Sequence, residues 1–129
     1  MTEELVTLEA AKLLKDKGFN WKCEHLIDRN KVITKYDLPQ SVSCCTEIDD
    51  ESVEFLCPTL YIAQKWLRET KNLHIEIYRN ACGYGYAIVK ADSGTWMEDD
   101  NFKGPNDGGN WDTYEEALEA GIQEALKLI

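Results

Sequence analysis

No apolar run in the 129 residues approaches the ~18 that a membrane-spanning helix requires, so no transmembrane helix is expected. The opening Met1-Thr2-Glu3-Glu4 is acidic where a secretory signal carries a basic flank and an apolar stretch, so no leader is expected either. No C-x-x-C spacing occurs among the five cysteines (Cys23, Cys44, Cys45, Cys57, Cys82), which argues against a zinc ribbon or a thioredoxin-like redox pair. An odd number of thiols cannot all pair within one chain, and reduced cysteines in a cytoplasmic compartment are the simpler expectation. Positive charge is scarce: 14 Lys+Arg face 24 Asp+Glu, a formal charge of −10. That balance opposes general nucleic-acid binding, which relies on basic side chains neutralising phosphates. What the chain has is 43% apolar residues and four tryptophans, enough for a folded core and too many for a disordered chain.

Three helices announce themselves alike. Tyr114, Ala117, Leu118, Gly121, Ile122, Ala125, Leu126 and Ile129 recur at three- and four-residue steps, one apolar stripe. Glu115, Glu116, Glu119, Gln123, Glu124 and Lys127 fall outside it, and Thr113 with Glu116 forms a capping-box pattern. Gly121 inside the stripe predicts close approach of a neighbouring element, because glycine there costs ~1 kcal/mol relative to alanine. Thr7 predicts a cap for a first helix running to Lys17 that buries Leu8, Ala11 and Leu14. Gly18 then ends it and Phe19 folds back toward Leu14. Thr59 opens a second helix to about Lys71, with Leu60, Ala63, Trp66 and Leu67 buried and Asn72 as its stop. The shared Thr–apolar–x–x–Ala pattern suggests a duplication, but capping chemistry plus a small residue at a helix contact produces it independently. Independent origin is the expectation.

Between the helices lie two hairpins. Lys22–Ile27 and Lys31–Tyr36 flank the polar turn Asp28-Arg29-Asn30. In Leu73–Arg79 the residues Leu73, Ile75 and Ile77 alternate with the outward His74, Glu76 and Tyr78. A Gly83-containing turn leads to a strand over Gly85–Ala91, and Thr95–Glu98 adds a further one. The expected fold is a single α+β domain over residues 1–129, in the order α-β-β-α-β-β-(β)-α. Its sheet is mostly antiparallel, with the helices on one face.

The negative charge is concentrated. Between Lys35 and Lys65 stand Asp37, Glu47, Asp49, Asp50, Glu51 and Glu54 with no base. From Ala91 to Asp112 stand Asp92, Glu98, Asp99, Asp100, Asp107 and Asp112 against Lys103 alone. Both stretches read largely as loop. Solvated loops kept soluble by charge are the commoner origin of such runs; the alternative is an acidic surface that steers a basic partner.

Catalytic patterns are sparse. Cys23 and His25, two apart on a strand, are the one nucleophile–base candidate, and nothing supplies a third group to orient the imidazole. Asp99-Asp100-Asn101 and Asp107 lack the spacing of a calcium loop. Gly83-Tyr84-Gly85-Tyr86 is no dinucleotide fingerprint, but its aromatics, with Trp96 and Trp111, suit stacking on a base or on a partner's arginine. No metal or cofactor is expected.

The helix Leu60-Tyr61-Ile62-Ala63-Gln64-Lys65-Trp66-Leu67-Arg68-Glu69, the strand His74-Ile75-Glu76-Ile77, the Lys17-Gly18-Phe19 helix exit and the ending from Thr113 to Ile129 carry a resemblance. Together they resemble a family of small acidic, uncharacterised proteins of gut anaerobes and their phages. The resemblance thins through residues 37–57 and 92–111. It implies a phage or prophage origin and no particular activity, so no site residues follow from it.

The expectation is therefore a non-enzymatic protein of the bacterial host cytoplasm, a phage accessory protein engaging a basic host protein through acidic loops. Its contact residues would be Asp49, Asp50, Glu51, Glu54, Asp99 and Asp100, with Tyr84, Tyr86, Trp96 and Trp111 as aromatic contacts. Two alternatives stay open: sequestration of a nucleotide-like ligand between Tyr84, Tyr86 and the Trp-bearing loop, and an enzyme using Cys23 and His25. Homodimer formation through exposed aromatics is a further expectation about partners.

Overall fold

The computed structural model describes residues 4–40, 54–99, 103–106 and 109–129. The protein is α+β. Its elements are α1 (Leu8–Asp16), β1 (Cys23–Asp28), β2 (Ile33–Gln40), β3 (Glu54–Leu56), α2 (Leu60–Thr70), β4 (Leu73–Asn80), β5 (Gly83–Lys90), β6 (Trp96–Asp99) and α3 (Tyr114–Lys127). The expected order holds, with β3 as an unforeseen addition, and among the described residues every strand pairing is antiparallel. The strands form two three-stranded sheets rather than one, and the chain gathers into two compact units, Met1–Ile62 and Ala63–Ile129.

In the first unit Thr7 adopts extended backbone and its hydroxyl accepts from the Ala10 N–H at 3.3 Å, capping α1. Leu8, Ala10, Ala11 and Leu14 are buried. At the other end Gly18 takes φ +89°, and the Phe19 N–H returns to the Leu14 carbonyl at 2.9 Å, so Phe19 folds back into the core as expected. Glu9, in the first turn, is held below the usual glutamate range by its own backbone N–H. Partial burial opposes this, and Lys31, whose ammonium lies 3.8 Å away, adds to it. Its ionised form therefore supports the helix start at neutral pH, and that support is lost as pH falls through the lowered value.

The sheet of this unit runs β2-β1-β3. Asp28 makes the β1–β2 turn: its carboxylate accepts from the N–H groups of Asn30 (2.8 Å) and Val32 (2.9 Å), while Lys31 takes φ +66°. The missed strand β3 lies inside a stretch read as loop. It pairs Leu56 with Leu26 and Phe55 with Ile27, and α1 packs over β1 and β3. Phe55, Leu56 and Cys57 are buried there, and the Cys57 thiol donates to the Val6 carbonyl at 3.4 Å. Lys15 and Arg29 place cations 5.3 and 6.0 Å from the Phe55 ring.

Thr59 caps α2, accepting from the Ile62 N–H at 3.2 Å. The expected stripe of Leu60, Ala63, Trp66 and Leu67 is buried, and Gln64 is buried beside it. In the second unit Gln64 is satisfied by donating to the Ile75 carbonyl at 2.8 Å, and Asn72 stops the helix at φ +58°. Strands β4, β5 and β6 form a meander, with β4 and β5 in unbroken register from Leu73↔Lys90 to Asn80↔Gly83. The first sheet puts its first strand at the centre, whereas this one puts its second there. That difference opposes a duplication and favours independent caps.

Helix α3 packs on β4 and β5. Thr113 caps it, its hydroxyl accepting from the Glu116 N–H at 3.1 Å. Ala117, Leu118, Gly121, Ile122, Ala125 and Leu126 are buried, while Tyr114 and Ile129, the two ends of the expected stripe, are exposed. A Cβ at Gly121 would lie 2.8 Å from Ile75 Cγ2 and 3.2 Å from Tyr86 Cγ, so the helix rests directly on the sheet there.

Candidate functional site

The second unit carries a groove of about 410 Å³ between α3 and the segment that precedes it. Tyr86 and Trp111 line it from the sheet side. Glu116, Glu119, Ala120, Gln123 and Glu124 line it from α3, and Lys103 reaches in at the rim.

Local chemistry explains each wall. Strand β5 pairs through its second half with β6, and through its first half with residue 111. The Tyr84 N–H donates to the Trp111 carbonyl at 2.8 Å, and the Trp111 N–H donates back at 2.9 Å. Asn106 holds this segment in place, its amide donating to the Cys82 carbonyl (3.0 Å) and to Asp112 (2.7 Å). The amide of Asn80 donates to the side chain of the buried Asn110 at 3.2 Å. The stretch expected to be a solvated loop is thus knitted into the sheet at its end. Trp111 then lies 5.6 Å from Tyr86, ring to ring.

On α3, residues 116, 119, 120, 123 and 124 follow the helical period and form one stripe beside the apolar one. Ala120, small and central, leaves the space. Glu119 accepts from the Gln123 amide at 2.7 Å, which steadies its carboxylate. Lys103 brings its ammonium 3.3 Å from Glu124 and 3.9 Å from Glu98, and Lys127 lies 3.5 Å from the other oxygen of Glu124. Among the described residues, three carboxylates thus line the groove against one ammonium.

The expected contact residues divide accordingly. Tyr84, Tyr86 and Trp111 are brought together. Tyr86, however, is fully buried under Gly121 and serves as floor rather than exposed surface. Tyr84 is already engaged, with the Arg79 guanidinium 4.9 Å above its ring and Tyr114 edge-on at 6.1 Å. Trp96 and Asp99 sit on β6, Trp96 exposed, and neither lines the groove. Glu54 opens β3 in the first unit, opposite Asp28. Asp49, Asp50, Glu51 and Asp100 lie outside the described residues. In the sequence Glu116, Glu119 and Glu124 are placed only on the face away from the apolar stripe, although their spacing around Ala120 is visible there as an acidic stripe.

The structure also places the residues named for the two alternatives. A phosphorylated ligand in the groove would meet three carboxylates and the ammonium of Lys103, while Arg79 is turned to Tyr84. Burial pushes the Cys23 thiol up to about 12, so the thiolate that a nucleophile needs is scarce at neutral pH. The strand register also slips between Cys23 and His25, and the Cys23 thiol donates to the Trp21 carbonyl at 3.5 Å. Among the described residues no three His, Cys, Asp or Glu side chains gather as a metal site requires. Compared with protein-family models, curated proteins and solved structures, the chain finds no match.

Proposed function

We propose that this chain is a binding protein that engages a basic partner protein through the groove beside α3. The observation that carries the reading is the wall of Glu116, Glu119 and Glu124 facing the Trp111 indole, with a lysine ammonium already drawn to it. Carboxylates held on a helix beside an aromatic ring attract a cationic side chain by charge and retain it by dispersion and cation–π contact. This moves the acidic contact surface from the loops to α3. The partner, on this reading, is a bacterial host protein and the chain a phage or prophage accessory protein acting in the cytoplasm, a part that rests on the sequence resemblance. Among the described residues no helix is long and apolar enough to cross a membrane.

The test is a calorimetric titration with a short peptide of alternating basic residues and glycine, at about 0.05 and about 0.3 M salt. The wild-type protein should bind it, more weakly at the higher salt. Glu119→Gln with Glu124→Gln should weaken binding about tenfold while the circular-dichroism spectrum is unchanged. Binding that is indifferent to both salt and the double substitution would reject the groove as the site.

A further inference from the structure

We infer that the groove is an arginine-recognition site, in which a guanidinium from the partner lies against the Trp111 indole and takes Glu124 from Lys103. The inference rests on the reading above that the groove receives a cationic partner, and it names the cation. Three observations support it. First, the molecule already seats cations on aromatic rings, Arg79 over Tyr84 at 4.9 Å and Lys71 over Trp66 at 5.5 Å, and Tyr86, two residues along the strand from Tyr84, lines the groove with Trp111 and the carboxylates. Second, the cation now present is poorly held. Lys103 stands 3.3 and 3.9 Å from its two carboxylates, longer than the ~2.7–2.9 Å of a close charge-assisted hydrogen bond, and it is itself substantially exposed. Third, the walls differ in kind. An indole on one side and carboxylates spaced along a helix on the other suit a planar, weakly hydrated fork that stacks and donates to several oxygens at once. A compact, strongly hydrated ammonium can approach the indole, as Lys71 does Trp66, but presents no planar fork to stack on it while donating to several carboxylates.

Lys103 then acts as an internal competitor. It covers one oxygen of Glu124 in the free protein, the other lying beside Lys127, and the incoming arginine displaces it.

The experiment compares a blocked pentapeptide carrying two arginines with the same peptide carrying two lysines, against wild-type protein, Lys103→Met and the control Lys90→Met. Lys90→Met removes a positive charge from the end of β5, away from the residues that line the groove. The arginine peptide should bind at least about fivefold more tightly than the lysine peptide. Lys103→Met should tighten arginine binding about three- to tenfold, clearly beyond the effect of Lys90→Met. Equal affinities for the two peptides would overturn the arginine assignment and leave the broader cationic reading standing. A Lys103→Met gain no larger than that of Lys90→Met would overturn the competitor role. If neither peptide binds wild type or Lys103→Met, the proposed function itself fails and this inference with it.

Discussion

Replacing Gly83 by alanine should lower stability by on the order of 3–5 kcal/mol and dismantle the aromatic wall of the groove. Two costs combine. The residue sits at φ +137°, a conformation that side chains with a Cβ adopt only under strain, about 1–3 kcal/mol. The added Cβ would also overlap the Trp111 carbonyl, the acceptor of the Tyr84 N–H, and contact the Asn106 amide. That carbonyl cannot retreat without breaking the reciprocal bonds that join residue 111 to β5. Gly94→Ala is the matched control: its φ is +72°, but a Cβ there would meet nothing within 4 Å, so it carries the conformational strain alone. Urea unfolding monitored by tryptophan fluorescence should show the difference between the two substitutions. Equal losses would mean that the Tyr84–Trp111 bridge contributes little to the fold.

At Gly121 alanine should also destabilise, by about 1–3 kcal/mol, although helix propensity alone would favour it by ~1 kcal/mol. The new methyl group would press on Ile75 and Tyr86, both fully buried, so accommodating it requires the packed core to shift. One position earlier the order reverses. Ala120 is half-buried and lines the groove, so Ala120→Gly should cost about 1 kcal/mol through propensity. Opposite preferences at adjacent positions separate contact from backbone preference. A stabilising Gly121→Ala would show that α3 stands further from the sheet.

Features decided by neighbours in the chain were legible in the sequence. The hydroxyls of Thr7, Thr59 and Thr113 all cap their helices because capping involves only three or four residues. Gly121 was legible too, as a misfit in an apolar stripe that only close packing explains. Strand β3 was not: three residues in an acidic stretch have no periodicity of their own, and pairing with the distant β1 makes Phe55 and Leu56 core. The division into two sheets is likewise a property of long-range pairing. For the site, the aromatic half could be read from Tyr84, Tyr86 and Trp111. The acidic half was hidden because a carboxylate stripe on a helix looks the same facing solvent or a groove. What distinguishes them is the bridge from Tyr84 to Trp111, 27 residues apart in sequence, which brings the indole beside α3.

The most direct test of a cation-binding groove is the amide and indole N–H spectrum of the labelled protein during titration with the two-arginine peptide. Shifts should concentrate at the Trp111 indole and at the backbone of Glu119, Ala120, Gln123 and Glu124. The exposed indole of Trp96 on β6 should stay in place. Shifts centred on Trp96 and β6, or scattered evenly over the acidic surface with the Trp111 indole unmoved, would contradict the account.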